Sequence, residues 1–454
     1  MISDPASSTG GPARPTPTAE ARGLPGPEPI ARRAPFSGNP AVGQRGQRTR
    51  QRILAAALRA FGEGGYHTST IADLARHAGC SRVTFYQYFS SKEDVLWHLA
   101  GQVAHQVSAS VEAMGPLTPD GAGWTAIRAW VAQYADIYEH FGAVFHVFES
   151  AAREAESLKA LNTRAVALTI ARIRSKLPAA ASAAGGADAM IGLLLGATAH
   201  ACYLGRILRH AAPHAYPRAR VDDAIADIIH RTFFGLVPDV NVHGRDAVAA
   251  PPIDFDHRAD GTSTRRSALV GAARATHDAL LSAGYEAFIR HGYHSARIDD
   301  VVEIAGLSHG LFYRYFANKA DLARVLVLTA MEPLSSTLAA IPAPPEPGSG
   351  KAWSTADLRA WLRTYNKMHA SEAGIIRIWV DATRRDASLG TDAAAALDWG
   401  RRQIVHFLEP RGFGDVHAEA IVAMALLDVF GGRNHPTQTL EAAVHVIERG
   451  LLGR

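Results

Sequence analysis

The amino-acid sequence predicts an all-α protein made of two tandem copies of one unit, each a head of the helix-turn-helix type on a larger helical body. Three observations carry that expectation. Residues 65–96, GYHTSTIADLARHAGCSRVTFYQYFSSKEDVL, align without a gap on residues 292–323, GYHSARIDDVVEIAGLSHGLFYRYFANKADLA, with 14 of 32 positions identical. Self-similarity over that length means a duplicated structural unit. Outside the Pro- and Gly-rich stretches, apolar residues recur at spacings of three and four, the helical period, and alternating strand-like runs are almost absent. The chain has 454 residues, 47% of them hydrophobic and 20% charged, which is enough for several ordinary cores and too long for one domain.

Taken in order, residues 1–45 hold nine prolines and six glycines with almost no large apolar residue, the composition of a flexible tail. Arg45, Arg48, Arg50 and Arg52 then lead into a helical pattern at Ile53 and place positive charge where a phosphate backbone or minor groove would lie. The first head spans 46–100 and the first body 101–237. Residues 238–263, with Pro251-Pro252 and several Gly and Asp, read as a linker. The second head spans 264–327 and the second body 328–454. Arg128-Ala129-Trp130 with Tyr134 recurs as Arg359-Ala360-Trp361 with Tyr365, so the duplication extends into the bodies. Each unit closes on two apolar helices, 187–209 with 221–236 and 416–430 with 437–452.

Within the first repeat Ile71, Leu74, Ala75 and Ala78 share one helix face, with Thr68 or Ser69 placed to cap its start and Gly79 permitting a tight left-handed turn. Ser81 is placed to cap a second helix that buries Phe85 and Phe89 and leaves Arg82, Val83, Thr84, Tyr86 and Gln87 outward. Two short helices about a glycine turn, the second presenting hydrogen-bonding groups near its start, make the geometry that enters a major groove.

The run GY-x-x-x-T-I-A-x-x-A-x-x-AG-C-S, followed by FY-x-YF and Lys92, resembles the DNA-binding domain of the TetR family of one-component regulators; the second run resembles it as well. Family order, a three-helix head before a helical ligand-binding and dimerising body, also agrees. The resemblance implies that Arg82, Val83, Thr84, Tyr86 and Gln87 face bases and sugar-phosphate, while Ser69, Thr70, Tyr88 and Lys92 hold phosphates. Lys92 and Lys319 occupy the same position in the two heads although the chain has only six lysines, and the resemblance places a phosphate contact there. In the second head the corresponding surface is Arg297, Ser308, His309, Gly310, Leu311, Tyr313, Arg314, Tyr315 and Lys319. Ala296 and Arg297 replace the Ser/Thr pair, and Val302 replaces the helix alanine. Arg82 can grip guanine O6 and N7 together, whereas His309 and Gly310 offer one shorter donor and none, so the expected operator is an imperfect palindrome.

In the first body Trp130, Tyr134, Tyr138, Phe141, Phe145 and Phe148 recur at spacings of 4, 4, 3, 4 and 3, a helical aromatic stripe. Such a stripe is usually core. The resemblance adds a second role, lining a small-molecule cavity, for Trp130, Tyr134, Tyr138, Phe141 and Phe145, and for Trp361, Tyr365 and Trp379 in the second body. The same family forms a four-helix bundle from its terminal helices, with Gly192 and Gly196 letting helices approach closely. One chain holds both halves of such a bundle, so an intramolecular pseudo-dimer is expected; a homodimer with four heads is the alternative.

Enzyme signatures fail. Pro345 stands five residues before Gly350-Lys351 where a phosphate loop needs glycine, and Gly412-x-Gly414 runs on to His417. His200, Cys202, His210 and His214 fit no common zinc spacing. The expectation is a non-enzyme without metal or cofactor whose partners are a double-stranded DNA operator and a small-molecule effector. A helical ligand-binding or enzymatic protein with vestigial heads is the alternative. Net charge +4 with pI ≈ 9.1 fits an anionic partner. Two cysteines, no apolar leader, and a 187–208 window broken by His200 and Arg206 point to a cytoplasmic protein that does not enter a membrane.

Overall fold

The computed structural model describes residues 43–63, 65–66, 68–154, 156–182, 185–244, 251–253, 269–345, 352–383, 387–432 and 437–454. The first unit comprises α1 (Gln44–Glu63), α2 (Ile71–His77), α3 (Arg82–Tyr88), α4 (Lys92–Ala113), α5 (Gly121–Glu154), α6 (Glu156–Lys176), α7 (Ala179–Ser182), α8 (Ala187–Ala211) and α9 (Arg218–Phe234). The second comprises α10 (Gly271–His291), α11 (Ile298–Ala305), α12 (His309–Tyr315), α13 (Lys319–Ala339), α14 (Thr355–Ala382), α15 (Ala387–Leu408), α16 (Val416–Gly431) and α17 (Thr437–His445), continued by π-helix over Val446–Leu451. The described residues contain no strand, and the fold is all-α with two units of the same order. Residues 1–42 of the expected tail lie outside the described residues, as does most of the expected linker.

Each head is a small closed core. In the first, Leu54, Phe61, Leu74, Phe85 and Phe89 meet, joined by Phe141 from α5; in the second, Leu280, Phe288, Val301, Phe312 and Phe316 do the same, joined by Ile378. The bodies, by contrast, share one continuous core to which Val131, Leu204 and Ile225 contribute from the first unit and Leu362, Ile421 and Leu426 from the second. Its spine is α8 lying along α16, flanked by α9 against the terminal π-helix. A Cβ on Gly196 would sit 2.7 Å from Val429 Cγ1, so glycine is what lets these two helices close; Gly192 instead faces Ile170 of its own unit, a Cβ there lying 3.2 Å away. Helices α8 and α13 are long and apolar enough to cross a membrane, yet Leu194 and Ala201 on one and Leu322 and Val325 on the other are in the protein cores.

Charge locks the two bodies as well. Arg231 of α9, fully buried, pairs with Glu419 of α16, donates to Gly450 O at 2.7 Å and lies over the Phe413 ring. Arg411 reaches the same Glu419 carboxylate at 2.7 Å, and Arg220 grips Asp415 with two donors. Buried pairs of this kind add less stability than registry, because both ions surrender water, but removing one partner strands the other.

The start of the expected linker is not loose. Asn241 is fully buried, donates to Gly235 O and accepts from Val237 N, while its own carbonyl takes a 2.6 Å bond from Arg231. His243 stacks on Trp124 and pairs with Asp227. The Pro, Gly and Asp content of 238–244 reflects tight turns over a core, which composition alone does not separate from a free linker.

Candidate functional site

The expected reading surface is built from capping and two aromatic anchors. Thr70, not Thr68 or Ser69, caps α2: its Oγ1 accepts from Asp73 N at 3.2 Å while the Asp73 carboxylate accepts back from Thr70 N and Oγ1. Those bonds, with Arg76, hold the Asp73 carboxyl down to about 2. Gly79, at φ +64°, turns the chain, and Ser81 Oγ caps α3 by accepting from Thr84 N at 3.0 Å. Phe85 and Phe89 face inward, fully buried, and hold α3 against the head core. Val83 is then 72% exposed and Tyr86 47%, with Arg82 and Gln87 also exposed and Thr84 half-buried beside Ser81. One outward face thus gathers every residue expected to meet bases. Arg45, Arg48, Arg52 and Arg59 of α1 and Arg76 of α2 are exposed as well and add positive charge to the same head.

Three expected phosphate contacts change role. Ser69 is buried and its hydroxyl donates to Gly65 O at 2.7 Å, closing the turn before α2. Tyr88 is buried in the head core rather than on its surface, because a helix that turns Phe85 inward also turns the residue three positions on. Lys92 points inward: Nζ donates to Tyr66 O at 2.7 Å and Ser69 O at 3.1 Å, 4.4 Å from the centre of the Tyr66 ring. Burial lowers its pKa. Lys319 repeats this with Tyr293 O at 2.7 Å, His294 O at 3.2 Å and Ala296 O at 2.9 Å, over the Tyr293 ring. An ammonium with its donors on loop carbonyls ties the α1–α2 turn to the start of α4, and α10–α11 to α13; recurrence of the lysine marked a scaffold staple rather than a phosphate ligand.

The second head keeps this scaffold and changes its surface. Ser308 Oγ caps α12 by accepting from Leu311 N at 3.3 Å, Gly306 turns at φ +65°, and Tyr313 is 56% exposed beside exposed His309, Gly310 and Arg314. Leu311 and Tyr315 are half-buried. Arg297 offers no capping oxygen, so at α11 only the return bond survives, Arg297 N to Asp300 Oδ2 at 2.7 Å. His309, at the position of Arg82, is paired with Asp299 at 2.5 Å. Arg274 and Arg290 pair with Asp278 and Glu286 on their own helix. Where the first helix-turn-helix shows Arg76 and Arg82 against Asp73, the second shows Asp299, Asp300 and Glu303 against Arg314. Asp299 beside the reading helix was legible in the sequence; its bond to His309 was not.

The aromatic stripes divide. Trp130, Tyr134 and Tyr138 are buried in the body core, Phe145 is packed against it, and Phe141 belongs to the head core. In the second body Trp361 and Tyr365 are core and Trp379 packs on its head. So Phe141 and Trp379 join head to body. Side-chain placement of Phe148 lies outside the described residues. Trp130 borders a cavity of about 30 Å³ with Met114, Ile127, Ile191, Leu194 and Phe233. A second, of about 10 Å³, lies between Tyr138, Cys202, Arg206, Arg218 and Asp222. Burial pushes the Cys202 thiol up to about 12, and it pushes the Asp222 carboxyl up to about 6 against the pull of Arg128 and Arg218. Across the units His200 meets Asp428 at 3.0 Å, and His369 approaches the same carboxylate from α14.

Comparison with known proteins matches the model for bacterial regulatory proteins of the tetR family at residues 53–99 and again at 280–326. The chain is 46% identical over 48 residues to the HTH-type transcriptional regulator HbdR of Aromatoleum sp., covering 11% of this chain and 21% of that protein. It is 32% identical over 79 residues to the HTH-type transcriptional regulator AcrR of Shigella flexneri, 17% of this chain and 37% of that one. It is 43% identical over 44 residues to a fatty acid metabolism regulator protein of Bacillus subtilis, 10% and 23%. The chain thus spans well under two thirds of the length of the relatives it matches.

Proposed function

Because the chain belongs to the TetR family of regulators in a tandem form, with the family's head present twice in one polypeptide, we propose that it is a DNA-binding transcriptional regulator of the cytoplasm, a repressor released from its operator by a small molecule held in the helical body. The observation that carries this reading is the outward face of α3, where Arg82, Val83, Tyr86 and Gln87 stand exposed on a helix fixed by Phe85 and Phe89. Arg82 supplies a two-pronged donor for guanine, Tyr86 an aromatic hydroxyl for phosphate or a thymine methyl, and the α1 arginines a sequence-independent grip.

One chain serves as its own dimer in this proposal. The shared body core and the Arg231–Glu419 pair support it, since they occupy within the chain the helix faces that a second subunit would otherwise cover. The two heads then address the two halves of one site, and their different reading faces make the halves unequal. Ligand in the body shifts the population toward a conformation whose head spacing no longer fits successive grooves.

The test is fluorescence anisotropy of the full chain with DNA from its own upstream region at two salt concentrations, with the mass of free and bound protein measured by analytical ultracentrifugation. A 48.5 kDa particle binding one site with a steep salt dependence is expected. Pairing of chains before binding overturns the single-chain arrangement, and no retention at moderate salt overturns DNA binding.

A further inference from the structure

We propose that the first body holds an effector site, and that its ligand is an uncharged, largely apolar molecule with one hydrogen-bond acceptor, taken by the indole N–H of Trp130. The proposal rests on the ligand-responsive reading above and assigns its chemistry. Trp130 and Trp361 are the same position of the duplicated body. Trp361 Nε1 donates to Thr337 O at 2.8 Å, so its indole is satisfied within the protein. Trp130 is 5% exposed and its Nε1 has no acceptor among the described residues. Buried donors are almost always paired, and an orphan of this kind calls for a missing partner.

Water is a poor candidate for that partner. The cavity that Trp130 borders is walled by Ile127, Ile173, Ile191, Leu194 and Phe233, and a buried water needs two to four polar partners where this wall is almost wholly apolar. The same wall excludes a charged ligand, which would lose its hydration without a counter-charge. An apolar ligand with a carbonyl or ether oxygen matches both features at once. The cavity is small at about 30 Å³, so a ligand of more than a few heavy atoms must part α5 from α8 and α9. Those last two helices carry the contact with the second unit, and Met114, at the end of α4, is part of the same wall. Occupancy therefore acts on the elements that set the position of the heads.

The test uses the full chain with 15N-labelled tryptophan and two probes of similar size, acetophenone and ethylbenzene. The indole resonance absent from Trp130→Phe is expected to move downfield with acetophenone and not with ethylbenzene, while the resonance absent from Trp361→Phe stays in place. Trp130→Phe, which keeps an aromatic ring in the core, is expected to bind acetophenone about tenfold more weakly than the parent chain, the loss of one hydrogen bond. Unchanged affinity in that variant, equal movement of both indoles, or no movement with acetophenone overturns the proposal. The operator anisotropy assay separates this from the wider reading. Movement of the Trp130 resonance without any change in DNA affinity supports the site while removing ligand response. Release from DNA by a cell extract that is undiminished in Trp130→Phe keeps ligand response and overturns the site.

Discussion

The two heads differ in almost nothing that holds them together and in almost everything they show to solvent. Both turn on a left-handed glycine, both cap the second helix with serine, both bury a Phe pair four residues apart, and both fasten the preceding turn with a lysine on loop carbonyls. Outside, Arg76 and Arg82 of the first head become Glu303 and an Asp299-bound His309 in the second, and the arginine-rich α1 is matched by an α10 whose arginines pair with their own acids. After duplication the scaffold is held by packing, which tolerates few substitutions, whereas exposed positions are free to diverge. The lesson is that a shared fold carries no guarantee of a shared activity.

The largest expected effect breaks that symmetry directly. Arg82→Ala is expected to weaken operator binding by about 2 kcal/mol, roughly 30-fold, and to relax preference at one base pair, whereas His309→Ala changes affinity less than about threefold, both read by anisotropy. Equal losses would make the heads equivalent readers.

Acid gives a comparison between the bodies, where the equivalent arginines Arg128 and Arg359 pair with Asp222 and Asp223 in one and Glu441 in the other. Asp222 sits at about 6 in the fold against an ordinary 3.8, so the folded state takes up the proton first; its ionised form destabilises the protein at pH 7, and stability rises as pH falls through 6 toward 4. Between pH 7 and pH 5 the gain is about 1.3 kcal/mol by the usual 1.36 kcal/mol per pKa unit, and Asp222→Asn should abolish it in urea titrations at those two pH values. Glu441 has the opposite sign. Its bond from Arg359 lowers its pKa, so that contribution is present above the unfolded value and lost as pH falls below it.

A gain of function tests the charge argument from the other side. The double variant Glu303→Arg with His309→Arg, which restores the first head's pattern at both positions, is expected to tighten DNA binding about tenfold and to steepen its salt dependence. No change in the salt slope would remove the second head from the DNA surface. The smallest effect compares the two indoles: Trp361→Phe loses the bond to Thr337 O and should cost about 1 kcal/mol in denaturation, while Trp130→Phe, which breaks no hydrogen bond among the described residues, should cost less.

Much of this architecture was legible because it rests on local rules. The repeat, the glycine turns, the cap at Ser81 and the inward Phe pairs follow from spacing and from the few residues that a given backbone conformation accepts, whereas Ser308, expected on the DNA-facing surface, proved to be the matching cap. The closing helices fell within a few residues of their expected bounds, and Gly196 marked the close approach of α8 to its partner. Failures cluster where one residue type has two uses. A recurrent lysine reads equally as a phosphate ligand or as a staple, and only the position of the Tyr66 and Tyr293 carbonyls decides. Tyr88 lies one helical step from exposed Gln87, and an aromatic at such a boundary does not declare its side.

What the sequence determined by itself is therefore the set of elements, their duplication and the chemistry each head can offer, because these depend on contacts a few residues apart. The tertiary structure alone decided which partner each polar group found: Arg231 on Glu419 across 188 positions, His309 on Asp299, Trp361 on Thr337, and Trp130 on none among the described residues. Hydrogen bonds and ion pairs are short-ranged and directional, so two equivalent side chains on equivalent helices differ in fate when a neighbouring backbone carbonyl is within reach of one and not the other.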